Sequence, residues 1–136
     1  MERFRNFISK FPTGVLTGLT LIAILWLTLV PHPLGKAHFS LFKGADKVVH
    51  VVMFGFLTLV MLLDTMKECK WAMLSLVKIG LVAFACGALG VLIEWGQKKM
   101  GLGRSFEVLD ILANSAGALG AGGIWAMFQE YLAKPS

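Results

Sequence analysis

Four long apolar runs, joined by short polar stretches, leave this chain few ways to fold. Residues 14–30 carry no charge, 48–63 carry only His50, 74–93 carry only Lys78, and 108–128 contain Asp110 and Asn114. Crossing a hydrocarbon core about 30 Å thick takes about 17–25 residues of helix, and each run is near that length, the second at the short limit. Apolar residues make up 57% of the chain, above the roughly 45–50% of soluble domains. Trp71 and Trp95 bracket the third run, as interfacial aromatics do. The expectation is an all-α integral membrane protein, a four-transmembrane-helix antiparallel bundle within a single membrane domain, 1–136. Its helices fall at about 14–31, 47–64, 73–96 and 106–129. A soluble helical bundle is the alternative.

The first run does not read as a cleaved signal peptide: it is longer than a typical apolar signal core, and Pro31-His32-Pro33-Leu34 follows it. Ahead of it, Phe4, Phe7, Ile8 and Phe11 recur at helical spacing against Arg3, Arg5 and Lys10. That pattern suits an amphipathic segment on an anionic leaflet, or a basic flank that only sets topology. With both termini inside, seven Lys/Arg lie inside and six outside, which barely orients the chain. The basic N-terminus beside the first span favours cytoplasmic termini in the cytoplasmic (inner) membrane. The net charge of +5 is distributed around membrane spans and is no nucleic-acid signal. Cys69 in a short loop and Cys86 in mid-span suit neither a disulfide nor a metal motif.

Threading a bilayer four times gathers the chain's unusual polar residues at one face. Asp46, Lys47 and His50 open the second span, Glu94 and Gln97 close the third, Arg104 lies in the last loop, and Asp110 and Asn114 open the fourth. Ionisable groups at membrane depth are costly and mark candidate sites. Ala113, Gly117 and Ala121, with Ala116 and Gly120 beside them, form a small-residue ridge on the fourth helix. Ala83, Gly87 and Gly90 form another on the third. Such ridges let helices approach closely, and they also offer faces for a homo-oligomer. The polar residues share these stripes, so they point into the bundle. Asp46 and His50 lie one turn apart, where carboxylate and imidazole can pair. Two helix N-termini, with Lys47 and Arg104, would suit an anion such as a lipid phosphate. Plainer roles exist for each residue. Asp46 or Ser105 can cap a helix, and Gln97 and Asn114 can bond helices together. Glu94 and Arg104 can form a rim ion pair. Asp64 and Lys78 read as terminal or snorkelling charges.

Taken in order, Asp46-Lys47-x-x-His50-x-x-x-Phe54, Glu94-x-x-Gln97, Gly103-Arg104 and Asp110-x-x-x-Asn114-x-x-Gly117 resemble the signature of the VanZ-like family. The resemblance covers about half of the chain. The family is named for an accessory protein that lowers sensitivity to teicoplanin, a lipidated glycopeptide, without remodelling the peptidoglycan terminus. The resemblance therefore implies a membrane protein of the cell envelope, and it assigns no catalytic role to any residue.

Two functional classes follow. The first is a non-enzymatic protein whose outward-facing polar pocket binds a lipid, or a lipid-linked envelope precursor, through Asp46, Lys47, His50, Glu94, Gln97, Arg104, Asp110 and Asn114. The second is an intramembrane enzyme acting on a lipid head group, with Asp46–His50 as general base and Glu94 or Asp110 as acid. No obvious nucleophile accompanies them, which favours binding. The spacings match no recognised metal motif, and no cofactor is implied. A channel would need a lumen that tightly packed Gly/Ala seams leave little room for.

Overall fold

All regular structure among the described residues is helical. The computed structural model describes residues 1–29, 45–101 and 108–135, with side chains from residue 47 onward in the second stretch. In chain order the elements are α1 (Glu2–Ile8), α2 (Val15–Leu29), α3 (Ala45–Glu68), α4 (Leu76–Met100) and α5 (Val108–Phe128), with a 3₁₀ turn at Gln129–Tyr131. Helices α3, α4 and α5 are long and apolar enough to cross a membrane, and α2 adds a shorter apolar helix. Together they form a helical membrane bundle in which α2 and α4 run against α3 and α5.

The helices extend past several polar residues that the sequence suggests as ends. Helix α3 continues through Asp64 to Glu68 rather than stopping near 64. Helix α4 begins at Leu76, where Ser75 accepts a hydrogen bond from the Lys78 backbone N–H. It passes through Glu94 and Gln97 and ends at Gly101, in the left-handed conformation at φ 61°. A polar side chain ends a helix only when it competes for the backbone. Asp64, Glu94 and Gln97 are instead buried against neighbouring helices. What stops α3 is a left-handed pair, Lys70 and Trp71 at φ 56° and 65°. There the Trp71 N–H reaches back to the Met66 carbonyl at 2.8 Å, the six-to-one bond that closes many helix C-termini.

Helix α5 packs on α3 and α4, and α2 flanks α3 and α4. The two ridges read from sequence supply the contact. A Cβ built on Gly117 would lie 2.3 Å from the Val51 carbonyl oxygen and 3.1 Å from the Gly55 nitrogen. The α3 and α5 backbones therefore touch there, as small-residue packing in membranes allows. Gly90 makes the matching approach of α4 to α5, where a Cβ would stand 2.9 Å from Asn114 Nδ2 and 3.2 Å from Phe54 Cε1. Ala83, Ala113 and Ala121 are buried in these seams, whereas Ala116 and Gly120 face outward. Around the outside stand large apolar side chains such as Leu76, Phe84, Leu119 and Met127, each about two-thirds or more exposed. So large an apolar surface is unsuited to water and natural against acyl chains.

The end of the bundle holding both chain termini is closed by polar side chains bound to backbone. Arg5 is buried and donates to the carbonyls of Leu132 and Ala133, both at 3.3 Å. Ile8 enters a core cluster with Leu62, Met66, Trp71, Leu74, Ile79 and Trp125. The N-terminal segment is packed into the bundle: α1 turns Arg5 and Ile8 inward and leaves Phe4 and Phe7 exposed, as is Phe11 after it. Trp71 is likewise a core residue, 4% exposed and donating to Ser9 Oγ at 3.3 Å, whereas Trp95 is exposed with Lys99 over its ring. Asp64 is not a terminal charge. It is buried and accepts from the N–H and hydroxyl of Thr17 at 3.3 and 2.6 Å, serving the open N-terminus of α2. Gln129 pairs with both the N–H and the carbonyl of Leu74, and Lys67 reaches the Phe11 carbonyl. Lys78 stays exposed beside Cys69, and Cys69 and Cys86 are both free thiols.

Substituting Gly117→Ala forces the α3–α5 backbones apart. We expect a loss of about 1–3 kcal/mol, the usual cost of overpacking a tight core. The drop appears as a lower thermal midpoint of the detergent-solubilised protein, and Gly120→Ala, whose added Cβ meets nothing, serves as the unchanged control. Equal midpoints for the two variants would contradict the packing described.

Candidate functional site

At the opposite end of the bundle, three helices bring polar side chains to one place. Helix α3 supplies Lys47 and His50 one turn after its start, α5 supplies Asp110 and Asn114 in its first two turns, and α4 supplies Glu94 and Gln97 near its close. The two glycine approaches set this convergence. Asn114 lies one turn above Gly117, where α5 touches α3, and Glu94 lies one turn above Gly90, where α4 presses on Asn114. Phe54, fully buried one turn below His50, forms an apolar floor.

The imidazole is held from α5. His50 Nδ1 lies 2.8 Å from Asn114 Oδ1, and since an amide oxygen only accepts, Nδ1 carries the hydrogen. The opposite nitrogen, Nε2, faces Asp110 Oδ2 at 3.8 Å, beyond hydrogen-bond range. The other Asp110 oxygen takes the Lys47 ammonium at 2.5 Å. His50, Glu94 and Asn114 are 7%, 0% and 1% exposed, so these groups sit away from bulk solvent, where electrostatic interactions are strengthened. Asn114 Nδ2 has no acceptor among the described residues. A buried donor left unmatched costs about 1–3 kcal/mol, and here the same amide orients His50.

Gln97 serves a different neighbour. Its Nε2 donates to the Thr28 carbonyl at 2.6 Å, satisfying a backbone oxygen near the end of α2, while the Thr28 hydroxyl donates to the Ile24 carbonyl at 2.7 Å. This is helix-to-helix bonding of the kind foreseen for the amides. Thr28, fully apolar in its sequence setting, gave no signal of that role. The Asp46 side chain, Arg104 and Ser105 lie outside the described residues. The partners of His50 that are described come from α5 and not from its own helix.

His50, Glu94 and Asp110 each present a ligand atom, and all of these lie within 4.8 Å of one another. The three residues come from three helices, so their convergence follows from the bundle and from no metal-motif spacing along the chain. Val51, Val52, Gly55, Phe56, Gly120 and Ile124 line an apolar hollow of about 380 Å³ between α3 and α5, its first lining residue following His50 directly.

A protein-family model described as VanZ/LLP1 matches residues 2–129. No curated protein matches the chain, and no solved structure does.

Lys47 and Asp110 form a partly buried ion pair at 2.5 Å, so each contributes to the hold on the other. In a double-mutant cycle, Lys47→Met and Asp110→Asn should each lower the thermal midpoint, and the double variant should recover part of the loss. A coupling of about 0.5–3 kcal/mol is expected for contacting residues. Simple additivity would contradict the pair.

Proposed function

The chain belongs to the VanZ-like family, and from that premise we propose that it is a membrane protein whose polar site binds the head group of a lipid or of a lipid-linked envelope precursor. The observation that carries the reading is the convergence of Lys47, His50, Glu94, Asp110 and Asn114 at one end of the bundle, near an apolar hollow between α3 and α5. An amphiphile needs both features together. Polar groups receive its phosphate, sugar or amine, and an apolar face takes part of its tail. Lys47, together with Arg104, suits phosphate; Glu94, Asp110 and Asn114 suit hydroxyl or amine donors. Asp46 and Gln97 complete the proposed contact set.

In this reading the protein lies in the cytoplasmic membrane with both termini in the cytoplasm, as its basic N-terminus suggests, and the site opens beneath the outer leaflet. Occupying head groups there offers a route to lowered sensitivity toward lipidated glycopeptides such as teicoplanin, whose own lipid tail works at that surface.

Native mass spectrometry of gently extracted protein tests the binding directly. We expect one retained lipid per chain, lost in His50→Ala and Arg104→Ala while the helical content stays unchanged. Protein without retained lipid, or variants retaining as much as the parent, would overturn the proposal. Conversion of labelled membrane lipids by the purified protein, abolished in His50→Ala and Asp46→Asn, would replace it with the enzymatic reading.

A further inference from the structure

We propose that His50, Glu94 and Asp110 form a binding site for one divalent transition cation of the zinc or manganese kind. The donor set is one imidazole nitrogen and two carboxylates, the mixture that suits such ions. Their ligand atoms lie within 4.8 Å of one another, on three different helices. Two of the three residues are at least nine-tenths buried, unlike the exposed acidic patches that gather without an ion.

The orientation of the imidazole is the independent observation. With Nδ1 on Asn114 Oδ1 at 2.8 Å, the ring turns Nε2 toward Asp110 Oδ2. At 3.8 Å the two are too far apart to hydrogen-bond, and a cation between them would bind both. Metal-bound histidines characteristically donate their other N–H to a carbonyl or carboxylate, and metal-bound carboxylates are themselves hydrogen-bonded. Asn114 fills the first role. Lys47, on the outer oxygen of Asp110, fills the second and leaves the inner oxygen for the ion.

Zinc bonds to nitrogen and oxygen are about 2.0–2.2 Å, which puts tetrahedral donors about 3.4 Å apart. Loading therefore draws the three side chains inward by about an ångström, a rotamer adjustment that leaves the helices in place. Three protein donors leave coordination positions open, as in sites that take an exogenous ligand. The inference stands without the head-group reading. If both hold, the open position is where an anionic head group would meet the ion.

The test uses the full chain in detergent, stripped with chelator and titrated with Zn²⁺ or Mn²⁺ against a competing chromophoric chelator. We expect about one ion per chain. His50→Ala and the isosteric Glu94→Gln should weaken binding at least 100-fold, and Asn114→Ala about 10–100-fold, as loss of a supporting hydrogen bond does. Lys99→Ala, on the exposed face of α4, should bind as the parent does. X-ray absorption of the zinc-loaded parent, which needs no variant, should report one imidazole with oxygen neighbours. Binding well below one ion per chain would overturn the inference. So would sulfur in the zinc environment, or affinity unchanged in both His50→Ala and Glu94→Gln. Lipid retention, measured separately by native mass spectrometry, distinguishes failure of the cation site from failure of the head-group proposal.

Discussion

Direct contact between the α3 and α5 backbones at Gly117 is the constraint from which the rest of the bundle is arranged. With no hydrophobic drive to join helices inside a bilayer, close packing and interhelical hydrogen bonds hold them together. The missing side chain lets the Val51 carbonyl occupy the space a Cβ would take. One turn on from that contact, Asn114 and His50 are brought within 2.8 Å, and Asp110 comes within reach of Lys47. Gly90 repeats the arrangement on α4 and carries Glu94 into the same volume. Small residues in the seams and polar residues at the tips are thus one design: the first sets the spacing at which the second can meet.

The two ends of the bundle treat polar groups differently. At the terminal end, Arg5, Asp64 and Gln129 all bond to main-chain groups, and their partners are the ends of helices and the turn before α4. Such contacts satisfy backbone that cannot be left bare in hydrocarbon. At the other end, among the described residues, Lys47 meets Asp110, His50 meets Asn114, and two acids share space with an imidazole. The first arrangement ties helix ends together, and the second gathers ionisable groups from three helices.

Much of this could be seen in the residues before any coordinates. Apolar length gave the helices, Ala/Gly spacing gave the seams, and the placement of Lys47, His50, Glu94, Asp110 and Asn114 gave the converging end. What stayed hidden has a common cause. Asp64, Arg5 and Trp71 look like terminal, topological and interfacial residues because their partners, the Thr17 and Ser9 hydroxyls and the Leu132 carbonyl, lie far off in the chain. Helix ends differ from the expected ones for a related reason: polar side chains such as Glu94 and Gln97 signal a boundary only when they face water, and here they face inward. The grouping of His50 with Glu94 and Asp110 depends on which helices adjoin, information that spacing along one strand of sequence does not hold.

The tie between Arg5 and the carbonyls of Leu132 and Ala133 joins residues 127 and 128 positions apart. A ribosome working at about 5–20 residues per second needs roughly 6–25 s to span that distance. Throughout that interval the carbonyls that hold Arg5 do not yet exist, so the first segment has no anchor in the bundle through that residue. Arg5 can become the latch of this end of the bundle only after residues 132 and 133 have been made.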